Sequence, residues 1–229
     1  MTGAILMLGP PGAGKSSALR SLARDMNEHT LFINSERKAP PFPEEFKTQI
    51  SPKTTREIFD AYEEMIATGK KNGIAVVALD SFSGFCEIAL YEARLTFTQW
   101  DIWADYNEKI GKLMRLQKDL NDEGIHSVMI AHDEILLDEN GSMSKVRAKV
   151  KGKEWEGLVE KEFNVCLWTE PVVSDLDPNK YNYMFLTNKY KNLPAKSAIE
   201  LLDKYIPNDI ALVIKALDNY GKKPNKPTK

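Results

Sequence analysis

Short apolar runs that stop at Gly, Asp or a polar residue recur through the first half of the chain. Residues 4–8 form one such run, ending at Gly9, and a Gly/Pro loop then leads into a helix-compatible stretch over residues 15–26. Residues 31–33 read as a second short strand. SERKAPPFPEEF follows as a long loop, because Pro40, Pro41 and Pro43 cannot donate to a ladder. Thr54 and Glu57 have capping-box spacing ahead of a helix that carries Ile58, Tyr62, Met65 and Ile66 on one face. IAVVALD, residues 74–80, is apolar without alternation, as expected of a central strand covered on both faces, and it ends on Asp80. SFSGFCEIALYEARL follows, with Glu87 on a helix. A longer helix spans about residues 98–122 on the spacing of Trp103, Tyr106, Ile110, Leu113, Met114 and Leu120, and Gly124 stops it. IHSVMIA, residues 125–131, is another strand, with His132 just past its end.

The pattern then changes. Two extended runs flank Asn140-Gly141, a hairpin signal, and FNVCLWTE and YNYMFLTN flank DLDPNK as a second antiparallel pair. A last helix is expected in IPNDIALVIKALDNYG, capped near Asn208 and stopped by Gly221. Strands alternating with helices imply an α/β fold: a mainly parallel central sheet flanked by helices, with antiparallel hairpins in the C-terminal half and ligands at the carboxyl ends of the strands. Residues 1–221 are expected as one domain, with a hairpin insertion at about 133–160. The Lys- and Pro-rich residues 222–229 are expected to be a disordered basic tail.

Composition narrows the functional classes. The chain has 229 residues with 31 basic against 33 acidic, a formal net charge of -2, so any polyanion site must be local. Its two cysteines, Cys86 and Cys166, lie in apolar surroundings, which suits reduced buried thiols. MTGAILMLGPPG has no basic leader and its apolar run breaks early, so a soluble cytoplasmic protein with no membrane association is expected.

The strongest chemical motif is GPPGAGKS, which fits G-x-x-x-x-G-K-[ST] between an expected strand and helix. Gly9, Pro10, Pro11, Gly12, Ala13, Gly14, Lys15, Ser16 and Ser17 would bind ATP: backbone amides face the phosphates, Lys15 reaches the β and γ positions, and Ser16 ligates Mg²⁺. Asp80 supplies the second carboxylate of a Mg²⁺ shell, although its position also suits a helix cap. Ser81 follows it, so the general base must come from elsewhere. Glu36, just past the second strand, is the best placed, ahead of Glu87 and Glu134. His132 ends a strand expected between those of Lys15 and Asp80, where it would report the γ-phosphate state.

Together these segments resemble the RecA-type ATPase core: GPPGAGKSS its phosphate loop, LFINSE the strand with the catalytic glutamate, VVALDS the Mg²⁺ strand and MIAH the sensor strand. With WADY at residues 103–106 and Gly152-Lys153, the chain is more specifically similar to the small phage-encoded RecA-core ATPases, the Sak-four group, associated with single-strand annealing and recombination. The resemblance implies ATP hydrolysis, single-stranded DNA as partner and a homo-oligomeric ring or filament with ATP between subunits. It further implies contact with a single-strand-binding protein and, for a phage-encoded chain, the host cytoplasm. It also implies a basic residue acting on the neighbouring subunit's ATP, for which Lys189 and Lys191 stand in position. The sensor position holds His132 where the family has glutamine.

SKVRAKVKGK falls where that family places its DNA-binding loop. On a strand, Lys145, Arg147, Lys149, Lys151 and Lys153 would line one face, spaced roughly 6.6 Å apart, with Val146, Ala148 and Val150 on the other. A lysine-bearing edge strand that only blocks aggregation has the same pattern. Two other functions fit the phosphate loop: a small-molecule or nucleotide kinase, and a nucleotide-gated adaptor or loader in DNA replication. The kinase is disfavoured because 24 of the 31 basic residues are lysine, with no arginine cluster to form a lid.

Overall fold

The computed structural model describes residues 1–174, 177, 180–198, 201–220 and 222. In chain order the elements are β1 (Ala4–Leu8), α1 (Arg20–Asp25), β2 (Thr30–Asn34), β3 (Thr48–Ile50), α2 (Thr55–Glu64), β4 (Val76–Asp80), α3 (Phe82–Thr96), α4 (Trp100–Asp122) and β5 (His126–Ile130). Then come β6 (Asp133–Leu137), β7 (Met143–Ala148), β8 (Val165–Val173), β9 (Tyr181–Leu186), β10 (Tyr205–Pro207) and α5 (Ile210–Asn219). The main sheet has the order β10-β9-β8-β1-β5-β4-β2-β3. From β8 to β3 every pairing is parallel, while β9 is antiparallel to both β8 and β10. The hairpin β6–β7 forms a second sheet of its own.

This is the expected α/β arrangement, and alternation along the central strands explains its layers. Ala4, Leu6 and Leu8 face one cluster with Tyr62, Phe85, Tyr106 and Ile110, whereas Ile5 and Met7 face another with Leu19, Leu22, Val213 and Ile214. Thus α2, α3 and α4 cover one face, and α1 and α5 the other. Both faces of β4 are buried, which is why its sequence shows no alternation.

Local signals act as read in most places. Thr54 Oγ1 accepts from Glu57 N at 3.2 Å, and Glu57 reaches back to Lys53 N at 2.9 Å, closing the start of α2. The helix expected over residues 15–26 begins instead as a 3₁₀ turn at Ser16–Leu19 and is helical only in α1. The final helix is capped by Asp209, whose carboxylate accepts from Ala211 N and Leu212 N, and not by Asn208. β3 and β10, three residues each, carry too few residues to show a period. Gly221 and residues 223–229 of the expected tail lie outside the described residues. Among the described residues no helix is long and apolar enough to cross a membrane.

Ile110 has no exposed surface and sits where α4 meets the sheet. Ile110→Ala is expected to lower stability by about 2–5 kcal/mol, measured as a reduced urea midpoint at unchanged m-value.

Candidate functional site

Parallel register brings four strand ends to one edge. Asn34 pairs with Asp80 and Asp80 with Ile130, while Met7 pairs with Ile130 on the other side. The residues that follow therefore emerge side by side: the phosphate loop after β1, Ser35 and Glu36 after β2, Ser81 after Asp80, and His132 after β5. They enclose a cavity of about 350 Å³ lined by Pro11, Gly12, Gly14, Lys15, Ser16, Ser17, Glu36, Pro41, Asp80, Ile130, His132 and Tyr183. Glu87 and Glu134 do not line it, and Glu134 is paired with Arg147 at 2.7 Å.

In the loop, Lys15 is 8% exposed and its Nζ donates to the carbonyls of Gly9 (2.6 Å) and Pro10 (2.9 Å). Burial lowers its pKa, opposed by the carboxylates of Asp133, Asp80 and Glu36. Ala13 is buried and its N–H donates to Pro10 O at 3.2 Å, closing the turn. Gly14 has φ +93, and a β-carbon there would come within 2.8 Å of both the Tyr183 ring and Asn208 Nδ2. Asn208 Nδ2 donates to Gly14 O at 2.8 Å, so β9 and the start of α5 hold the loop from outside.

A buried hydrogen-bond network holds the carboxylates. Ser35 Oγ donates to Ser81 O at 2.7 Å and accepts from Ser81 N at 2.8 Å, and Ser35 N donates to Asp80 O at 2.8 Å. Ser81, not Asp80, caps α3: its Oγ accepts from Gly84 N at 3.0 Å and donates to Glu36 Oε1 at 2.7 Å. A β-carbon on Gly84 would lie 2.7 Å from Ser35 Oγ, so glycine there lets the start of α3 approach this turn. His132 Nε2 bonds the same Glu36 Oε1 at 3.1 Å, the backbone N–H of His132 donates to Ser83 Oγ at 2.9 Å, and Lys38 Nζ donates to Glu36 Oε2 at 2.9 Å. Those bonds, with His132's the largest effect, hold the Glu36 carboxyl well below the usual carboxylate range despite partial burial.

Asp80 behaves in the opposite way. Burial pushes its carboxyl up to about 6, while the neighbouring Ser16 hydroxyl and Lys15 favour the charged form and Glu36 opposes it. A desolvated carboxylate short of positive charge, with a serine hydroxyl of the phosphate loop beside it, fits a Mg²⁺ ion, which Ser16 and Asp80 could hold.

The network residues Ser35, Ser81, Gly84, Tyr183 and Asn208 escaped the sequence reading. For Ser81 a signal existed, since a serine after a strand and three residues before Gly84 has N-cap spacing. Lys189 and Lys191 do not line this cavity; with Lys145 they line another. The basic stripe is not one continuous strand. β7 ends at Ala148, Arg147 is sequestered by Glu134 (2.7 Å) and Glu156 (3.2 Å), and Lys151 N donates to Tyr106 on α4 at 3.0 Å.

No protein-family profile and no curated protein matches the chain. Among solved structures it is similar to a KaiC-like protein from the hyperthermophilic archaeon Pyrococcus horikoshii OT3, with a TM-score of 0.49 and 12% identity over 82% of this chain and 78% of that one.

Because Asp80 binds its proton more tightly folded (about 6) than at its ordinary 3.8, folding loses stability as pH rises between those values and stays lower above them. Asp80→Asn is therefore expected to stabilise the metal-free protein at pH 7–8 by on the order of 1–3 kcal/mol, a gain that vanishes near pH 4. Chemical denaturation across that range checks it; a gain that grows toward acid contradicts the assignment.

Proposed function

We propose that this protein is a Mg²⁺-dependent ATPase of the RecA-like type, acting with single-stranded DNA in strand annealing or recombination. The observation that carries the reading is the Glu36–His132 hydrogen bond across the cavity that Lys15 and Asp80 also line. Such a site joins a phosphate cradle, a cation-seeking carboxylate and a second carboxylate held ionised and aimed.

Lys15 would exchange its two loop carbonyls for phosphate oxygens. Ser16 and Asp80 would hold Mg²⁺, which when bound offsets charge on those oxygens. Glu36, ionised at neutral pH, orients a water and accepts its hydrogen bond; its low basicity makes alignment the larger part of its contribution. His132 fixes the Glu36 carboxylate and so couples the tip of β5 to the reacting end of the nucleotide.

Among the described residues no arginine lines the cavity, which disfavours a kinase with a closing arginine lid. It also leaves room for a cation from a second copy of the chain, supporting assembly with ATP between subunits.

Lys15→Ala is expected to abolish binding of a fluorescent ATP analogue. Glu36→Gln should retain binding and lower turnover on the order of a hundredfold, followed by phosphate release. Single-stranded DNA should raise wild-type turnover. Unchanged turnover in Glu36→Gln would reassign the base, and phosphorylation of a small acceptor, indifferent to DNA, would make the protein a kinase.

A further inference from the structure

Apart from the phosphate cavity, the molecule has a groove of about 440 Å³ between β7, the 3₁₀ turn Val159–Glu162 and residues 189–196. Five lysines line it: Lys145, Lys161, Lys189, Lys191 and Lys196. They come from three separate segments, so no run of sequence displays them together. Among the described residues none of the five forms an ion pair, in contrast to Arg147 on the neighbouring strand, which has two. Among the described residues the one carboxylate lining the groove, Glu160, is engaged by the backbone N–H of Ala148 at 2.5 Å. Lys145 Nζ lies over Gly157, where a β-carbon would come within 3.1 Å of it.

Like charges gathered in a concave surface repel one another and focus a positive potential, a cost that a bound polyanion removes. At one end the groove adjoins Tyr190, 40% exposed, with Lys191 Nζ 5.2 Å and Lys204 Nζ 4.2 Å from its ring centroid. A cationic groove with an exposed aromatic beside it matches what a single strand requires: charge along the backbone and a ring for a base. The groove is also tied to the hairpin: Val146 N donates to Asn192 O at 3.2 Å and Asn192 Nδ2 to Met143 O at 2.7 Å.

We infer that this five-lysine groove, and not the SKVRAKVKGK stripe, is the seat of single-stranded DNA. The inference rests on the nucleic-acid part of the proposed function and relocates its contact surface. Of the basic residues, only Lys145 belongs to both surfaces.

The test uses Lys161 and Lys196, which neither the stripe nor the phosphate site contains. Binding of fluorescein-labelled oligo(dT) to the full chain is followed by anisotropy over a salt series. Lys161→Glu with Lys196→Glu is expected to weaken binding at least tenfold at about 0.1 M salt and to flatten the log–log salt slope by about 1.4, from roughly 0.7 per contact. Lys149→Glu with Lys153→Glu should bind within about threefold of wild type, because those lysines do not line the groove. The milder pair Lys161→Gln with Lys196→Gln, checked by thermal melting, should shift affinity the same way and guards against misfolding. Wild-type affinity in both groove variants, with loss in the stripe variant, overturns the groove and leaves the proposed function standing. A wild-type chain that does not bind oligo(dT) overturns the single-strand reading and the groove's ligand with it. So does one that binds labelled poly-glutamate instead, which would make the groove a seat for an acidic protein segment.

Discussion

Parallel pairing at the carboxyl edge of the sheet is the constraint on which the rest depends. Once Asn34, Asp80 and Ile130 are in register, the residue after each strand is delivered to the same small volume, whatever the helices do behind it. Apolar burial on both faces of β4 and β5 fixes that register, because a slip of one residue would exchange the two helix-facing layers. The hydrogen bonds that refine the site are then local. Ser35 and Ser81 lock neighbouring strand ends to each other, and Glu36 takes its direction from Ser81 and His132. A core made of ordinary aliphatic packing thus positions a polar constellation that could not hold itself.

The electrostatics of the ligand-free site are deliberately unbalanced. Lys15 is buried with its Nζ hydrogen-bonded to two carbonyls, and Asp80 is half-buried with less positive charge than its carboxylate needs. Each burial costs stability, and under the proposed function each would be relieved by the charge of a Mg²⁺ nucleotide. Glu36 differs because its partners are permanent. Serine, histidine and lysine keep it charged before any ligand arrives, so its orientation is set in advance. The two carboxylates of one cavity are pushed in opposite directions by these surroundings.

Contiguous features were legible from sequence. The phosphate loop is a single run, the strand ends are marked by polar residues after apolar ones, and the place of β5 between β1 and β4 followed from an α/β reading. What failed was whatever required partners distant in sequence. Alternation through SKVRAKVKGK does predict the burial of Val146, Ala148 and Val150. It cannot predict that Arg147 turns to Glu134 and Glu156, or that the chain leaves β7 to run along α4. Likewise, nothing in the spacing of Lys161 and Lys196 sets them beside Lys145; only the folding of β7 against residues 189–196 does. The role of Gly84 is invisible for the same reason, since a helix-interior glycine declares its purpose only when Ser35 is seen beside it.

These connections also join the phosphate-loop cavity to the lysine groove through few residues. His132 stands at the junction: its ring bonds Glu36, while its carbonyl accepts from Lys149 N at 2.8 Å just past β7. From β7 two further hydrogen bonds reach Asn192, between the groove lysines Lys191 and Lys196. The path from phosphate cavity to groove therefore needs one histidine, one hairpin and one short segment. The hairpin is a two-stranded sheet apart from the main one, but Val146 and Ala148 of β7 are buried in the core cluster shared with β1 and α4, so the groove wall is fixed to the same packing that holds the strand ends.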